Sequence, residues 1–245
     1  MTAIGPSFDA NVCPENQKLG EFDNNVAHSN GRYGLRIFHN HIPRTRQCDP
    51  INYDTESADY NPPIPAQYKN LVSYKNKRNG AIIERAGAIE WHNFKVADNL
   101  EVGMEMSRTD DNKKHGYAKM VGGLVIGKSE NTEKALDIRS PVGVRTPRTE
   151  YFSMKGTKFY NFNWKSAAAF HTCSHCWHDN NTDSGGRTIT VEDLYIDSAS
   201  VQKIVSYTTP FQTIFYDKTG GMTGAGAKSW FLPYNKHLLV GTCTK

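Results

Sequence analysis

No apolar run in the 245 residues approaches the roughly 18 that a membrane helix needs. The opening stretch, Met1–Asn11, has neither a basic n-region nor an apolar h-region, so no secretory signal is read there. Charge of one sign is also scarce. Lys and Arg number 29 against 25 Asp and Glu, and the densest basic cluster is only Lys75, Lys77 and Arg78. That footprint is too weak to imply a nucleic-acid partner. Amphipathic helices of more than two turns are missing, and Ser198–Ser206 is the one stretch that fits a weak turn of helix about as well as a strand. Gly-x-Ser-x-Gly does not occur. The glycine-rich run Gly220–Gly226 lacks the Lys and the following helix of a phosphate loop, and reads as a flexible turn. Cysteine is sparse and odd in number, at five. A chain of this size does not need disulfides to build a core.

What the chain does have is short apolar pieces closed by Asn, Asp or Gly. Ala81-Ile82-Ile83, Leu124-Val125-Ile126, Arg187-Thr188-Ile189-Thr190-Val191 and Thr213-Ile214-Phe215-Tyr216 are rich in β-branched and aromatic residues. Such pieces predict strands. Tyr33–Phe38 alternates and predicts another. A long proline-bearing loop, His39–Pro65, follows it. Residues 1–30 look polar and irregular, so the folded domain is expected over residues 31–245.

A repeat organises these pieces. Asn70 falls on Asn93 at an offset of 23, and the same offset places Asn76 on Asn99, Gly80 on Gly103 and Ile83 on Met106. A looser third copy begins at Tyr160-Asn161-Phe162. A period in the low twenties without a leucine-rich signature predicts an all-β fold, a right-handed parallel β-helix with long loop excursions. In such a fold Asn side chains stack as ladders at the turns, and Gly supplies positive φ. The alternative is an ordinary antiparallel sandwich with accidental matches. The register stacks Ile82 on Glu105 and Lys75 on Asp98, so it brings no two carboxylates together. Asp98 is expected to bond its own backbone in a turn.

Several residues could carry chemistry. His171–His178 packs Cys173, His175, Cys176 and His178 close together, which is half of a zinc site, with His115 or His237 as a distant fourth ligand. Strand alternation points Cys173 and Cys176 to opposite faces, so no metal and no cofactor is assigned. Oxidised cysteines, packed thiols and metal binding all stay open. Asn180 begins one N-glycosylation sequon. Trp91, Trp164, Trp177 and Trp230 are candidate platforms for a sugar face.

Ordered segments of the chain resemble the family of fibrocystin-like surface proteins, which includes fibrocystin, fibrocystin-L and the cell-migration-inducing hyaluronidase. The segments are Tyr33–Phe38, Asn61–Pro65, His92–Asn99, Phe159–Phe162, Cys173–Cys176, Thr182–Thr188, and Phe215-Tyr216-Asp217 before Met222-Thr223-Gly224. The resemblance implies a β-helical fragment of a large extracellular or ciliary surface glycoprotein. Its partners would be other domains of that parent chain, with any membrane contact made through the parent's anchor. In one place the chain departs from the pattern. Asp217 is followed by Lys218 and Thr219 where relatives have a second acid, which argues against calcium there. Two functions stand: a structural or adhesive scaffold that binds a glycan or protein, and a polysaccharide-cleaving enzyme.

Overall fold

The computed structural model describes residues 11–49, 60–109, 117–131, 140–147, 151–164, 166–172, 187–197, 202–205, 213–223 and 225–231. Among them the secondary structure is all strand, arranged in three sheets. The first sheet runs β1 (Val26–His28), β4 (Val72–Tyr74), β7 (Lys95–Ala97), β10 (Leu124–Ile126), β13 (Lys158–Tyr160) and β16 (Tyr195–Ile196). The second holds β2 (Leu35–His41), β5 (Asn79–Ala86), β8 (Val102–Thr109), β11 (Val142–Thr146), β14 (Ala168–Thr172) and β17 (Gln202–Val205). The third holds β3 (Ala66–Lys69), β6 (Ile89–His92), β9 (Ala118–Val121), β12 (Phe152–Lys155), β15 (Arg187–Glu192), β18 (Thr213–Asp217) and β19 (Ser229–Phe231). Each sheet therefore gains one strand each time the chain completes three.

Every pairing within these sheets is parallel except β18 with β19. An antiparallel sandwich is thereby excluded. Ile82 pairs with Glu105 and Ile83 with Met106, at the 23-residue offset. Tyr68 with Trp91, and Tyr74 with Ala97, keep it in the other two sheets.

Inward positions stack into apolar rows, because side chains two apart on a strand share a face. Tyr68, Trp91 and Met120 form one row, and Ile37, Ile83 and Met106 another. Trp91, Phe94, Phe152, Phe159, Phe162, Phe170 and Phe215 are the largest fully buried side chains. Each contributes roughly 2 kcal/mol or more of transfer free energy.

The corners explain the asparagines. After the third-sheet strands the chain turns through a left-handed residue: Asn70 (φ 52°), Asn93 (φ 53°), Gly122 (φ 66°), Gly156 (φ 65°) and Asp193 (φ 51°). Asn, Asp and Gly tolerate that conformation best. A second corner, after the first-sheet strands, uses Ser29 (φ 56°), Lys75 (φ 54°), Asp98 (φ 53°) and Asn161 (φ 60°). Next to it runs a hydrogen-bonded ladder, buried at Asn76, Asn99 and Ser140. Asn30 N donates to Asn76 Oδ1 at 3.2 Å, Asn76 N to Asn99 Oδ1 at 3.2 Å, and Asn99 N to Ser140 Oγ at 2.9 Å.

Several sequence expectations change here. Asn161-Phe162 does not continue the Asn70/Asn93 corner; it occupies the second corner, the place of Lys75-Asn76 and Asp98-Asn99, and Phe162 stands where the ladder residue would be. Gly80 and Gly103 are absent from the positive-φ residues. They are needed because a Cβ on Gly80 would lie 2.6 Å from the Gly103 carbonyl oxygen and 2.7 Å from Asn99 Nδ2. Asp98 bonds outside its own turn, accepting from Ser129 N at 2.7 Å and Ser129 Oγ at 2.5 Å. The segment before residue 31 already holds β1, and β2 reaches His41. The stretch that could have been helical contains strand β17.

Candidate functional site

A groove of about 890 Å³ opens on the outer face of the second sheet, lined by β2, β5, β8 and β11. Its centre is the row Ile82–Glu105–Arg145, whose members are Cα register partners. Glu105 is only 2% exposed. It accepts from Asn79 Nδ2 at 2.7 Å, Ser107 Oγ at 2.7 Å and Arg145 Nη1 at 2.9 Å. The other groove carboxylates are also engaged by arginine: Glu84 with Arg36 Nη2 at 2.7 Å and Glu101 with Arg78 Nε at 3.0 Å. Arg78 also donates to Tyr33 Oη at 3.0 Å. Glycoside hydrolysis requires two carboxyl groups aimed at one bond. Here each carboxylate instead meets a guanidinium, an arrangement suited to holding polar groups rather than to passing a proton. Arg145 was out of reach of the sequence reading because it lies 40 residues from Glu105.

The tryptophans separate by burial. Trp91 is 1% exposed and stacks on Phe94, with ring centroids 5.1 Å apart, so it is core and offers no face to a sugar. Trp164 is partly buried against the core beside Phe162. Trp230 is 61% exposed and packs over Tyr216 at 4.6 Å. Trp177, Cys173, His175, Cys176, His178 and Asn180 lie outside the described residues.

Two further features lie away from the groove. Cys13 and Cys48 form a disulfide that ties the N-terminal segment to the loop after β2. The same segment is held by buried His41, whose Nε2 is 3.0 Å from the Gln17 carbonyl oxygen while Tyr68 Oη is 2.8 Å from Nδ1. Asp217, fully buried, organises the loop after β18. It accepts from the backbone N–H of Gly220 at 3.0 Å, Met222 at 2.9 Å and Thr223 at 3.2 Å. Residues 218–223 therefore wrap around the carboxylate rather than forming a loose turn.

On the third sheet's outer face, Glu90 accepts from Lys119 Nζ at 2.7 Å, His92 Nε2 at 2.9 Å and Gln67 Nε2 at 3.1 Å. Burial pushes its carboxyl up, but the bonds from Lys119, His92 and Gln67 outweigh this and hold it at about 2, below its ordinary 4.5. A carboxyl with a depressed folded value stabilises fully above the unfolded value and loses that contribution as pH falls through the folded one. Glu90→Gln should therefore flatten the loss of stability between pH 4.5 and 2. Urea midpoints for both proteins across that range check it; identical slopes would contradict it.

No family model matches the chain. Comparison with individual proteins does find relatives. Fibrocystin-L of Homo sapiens is 25% identical over 246 aligned positions, 98% of this chain. Fibrocystin-L of Mus musculus is 29% identical over 170 positions, 67% of the chain. The chain is fibrocystin-like. Fibrocystin of Canis lupus familiaris extends the likeness, 25% identical over 84% of the chain. This fibrocystin-like chain spans only 6% of the human fibrocystin-L and 4% of the other two.

Proposed function

We propose that the chain is a right-handed parallel β-helix that serves as a stiff structural or adhesive scaffold within a larger extracellular or ciliary surface glycoprotein. The observation that carries this reading is the strand order. From β1 to β18 each sheet takes every third strand, paired in parallel, which is the order that stacked coils would give. In such a stack each coil touches only its neighbours, and the lateral faces stay free for partners. The Cys13–Cys48 disulfide supports an oxidising, extracellular setting. The small share of the fibrocystins that the chain spans supports a domain among others in one parent chain. Among the described residues no helix is long and apolar enough to cross a membrane, so membrane attachment falls to the parent chain in this reading.

The 890 Å³ groove favours a second reading, that the chain binds and cleaves a polysaccharide there. Its arginine-paired carboxylates support binding over cleavage. Incubating the whole chain with hyaluronan and with chondroitin, followed by size analysis, separates the two. The scaffold reading predicts unchanged polymer length. Depolymerisation that Glu105→Gln or Glu84→Gln abolishes would overturn it.

A further inference from the structure

The outer face of the first sheet differs in kind from the other two. On the second sheet, Arg36 pairs with Glu84 and Arg145 with Glu105. On the third, Lys119 pairs with Glu90 and Lys155 with Glu192. The first sheet shows no such balance. Ser73, Val96, Val125 and Phe159 fill its inward row. Its outward rows are Val72–Lys95–Leu124–Lys158–Tyr195 and Tyr74–Ala97–Ile126–Tyr160. β1 extends them with Val26 and His28. Val26 is 63% and Tyr195 49% exposed. His28 stacks on Tyr74 with ring centroids 4.9 Å apart, and Tyr160 lies 5.4 Å from Tyr195.

Among the described residues the face holds a depression, and the charged side chains of its rows and lining, apart from the buried Asp98, are lysines. A depression of about 390 Å³ is lined by Val72, Tyr74, Lys95, Leu124, Ile126 and Ser129. Lys75, Lys95 and Lys158 border it or stand in its rows. The one carboxylate lining it, Asp98, is 2% exposed and is engaged by Ser129. Val72, Tyr74, Leu124, Ile126 and Tyr160 are half-buried and Val26 and Tyr195 exposed, and a contiguous apolar strip open to solvent in this way marks a place where another surface docks.

We propose that this face docks a partner protein segment whose apolar side chains enter the depression and whose Asp or Glu side chains meet Lys75, Lys95 and Lys158. The charges decide the occupant. A second copy of the chain would bring these lysines against their own counterparts, which opposes pairing. A sugar requires several convergent polar groups at its hydroxyls, and the floor here is Val72, Leu124 and Ile126. Acidic residues around an apolar centre match both the shape and the sign. The inference rests on the scaffold reading, and the depolymerisation assay tests that reading separately.

Three peptides test it, each alternating Leu and Tyr with Glu, with Gln, or with Lys. Binding to the full chain is read by fluorescence anisotropy. The Glu peptide should bind at least tenfold more tightly than the Gln peptide, and the Lys peptide not at all. Lys95→Glu combined with Lys158→Glu should reverse the order of the Glu and Lys peptides, and Leu124→Ser should weaken both. Thermal melts confirm that the variants fold. Equal binding of the Glu and Gln peptides would overturn the proposal, as would no reversal by the charge-swapped variant. So would binding to phosphatidylserine vesicles, or self-association of the chain lost in Leu124→Ser, without binding of the Glu peptide.

Discussion

Asn99→Ala is expected to lower the stability of the chain by about 3 kcal/mol, seen as a lower urea midpoint with an unchanged slope. The size follows from what the side chain does. Asn99 is fully buried. Its Oδ1 accepts from Asn76 N at 3.2 Å and Asn76 Nδ2 at 2.9 Å, while its Nδ2 donates to the Ser73 carbonyl oxygen at 3.2 Å. Alanine leaves the Asn76 N–H without its acceptor, takes one of two acceptors from Asn76 Nδ2, which keeps Ser73 Oγ at 3.0 Å, and removes the Nδ2 donor from the Ser73 carbonyl. A buried group left unpaired costs about 1–3 kcal/mol, and the lost packing adds to it. Leu100, the next residue, is 46% exposed. Leu100→Ala serves as the control and should stay within about 0.5 kcal/mol. Equal effects at the two positions would show that the ladder does not hold the corner.

Gly103→Ala should be at least as damaging, about 3 kcal/mol or more. A Cβ there would lie 2.5 Å from the Gly143 carbonyl oxygen, 3.1 Å from Val96 Cγ2 and 3.2 Å from Val125 Cγ1. The carbonyl belongs to β11, which pairs with β8, so it cannot retreat without opening the second sheet. Gly31→Ala, where nothing lies within 4 Å of the added carbon, is the matched control and should be close to neutral. Thermal melts of the two variants make the comparison, and similar melting temperatures would contradict the close approach.

The 23-residue register was legible because two successive passages through the sheets carry no insertion. Gln67 and Glu90, Arg78 and Glu101, and Asn76 and Asn99 all sit 23 apart. Elsewhere loops lengthen the interval and hide it. Glu90 meets Lys119 at 29 residues, Lys155 meets Glu192 at 37, and Asn30 meets Asn76 at 46. The last value is twice the repeat, so β1 looked like part of an irregular start. The third copy failed for a related reason: Asn-apolar suits both left-handed corners, and the sequence does not say which one Asn161 serves. The sequence leaves Trp91 open as a sugar platform or as core, because a tryptophan by itself carries no facing. Its register partner Tyr68, inward and buried, settles the facing. Arg145 and the Cys13–Cys48 bond depend on contacts across insertions, which no local pattern encodes.

The account stands on parallel stacking of successive passages at fixed register. Backbone NOE contacts across the three sheets measure it most directly. The stacking predicts close backbone contacts typical of parallel strands at Tyr74 with Ala97, Ile82 with Glu105 and Tyr68 with Trp91, one pair in each sheet. Antiparallel contact patterns, or contacts at any other offset for these residues, would contradict it.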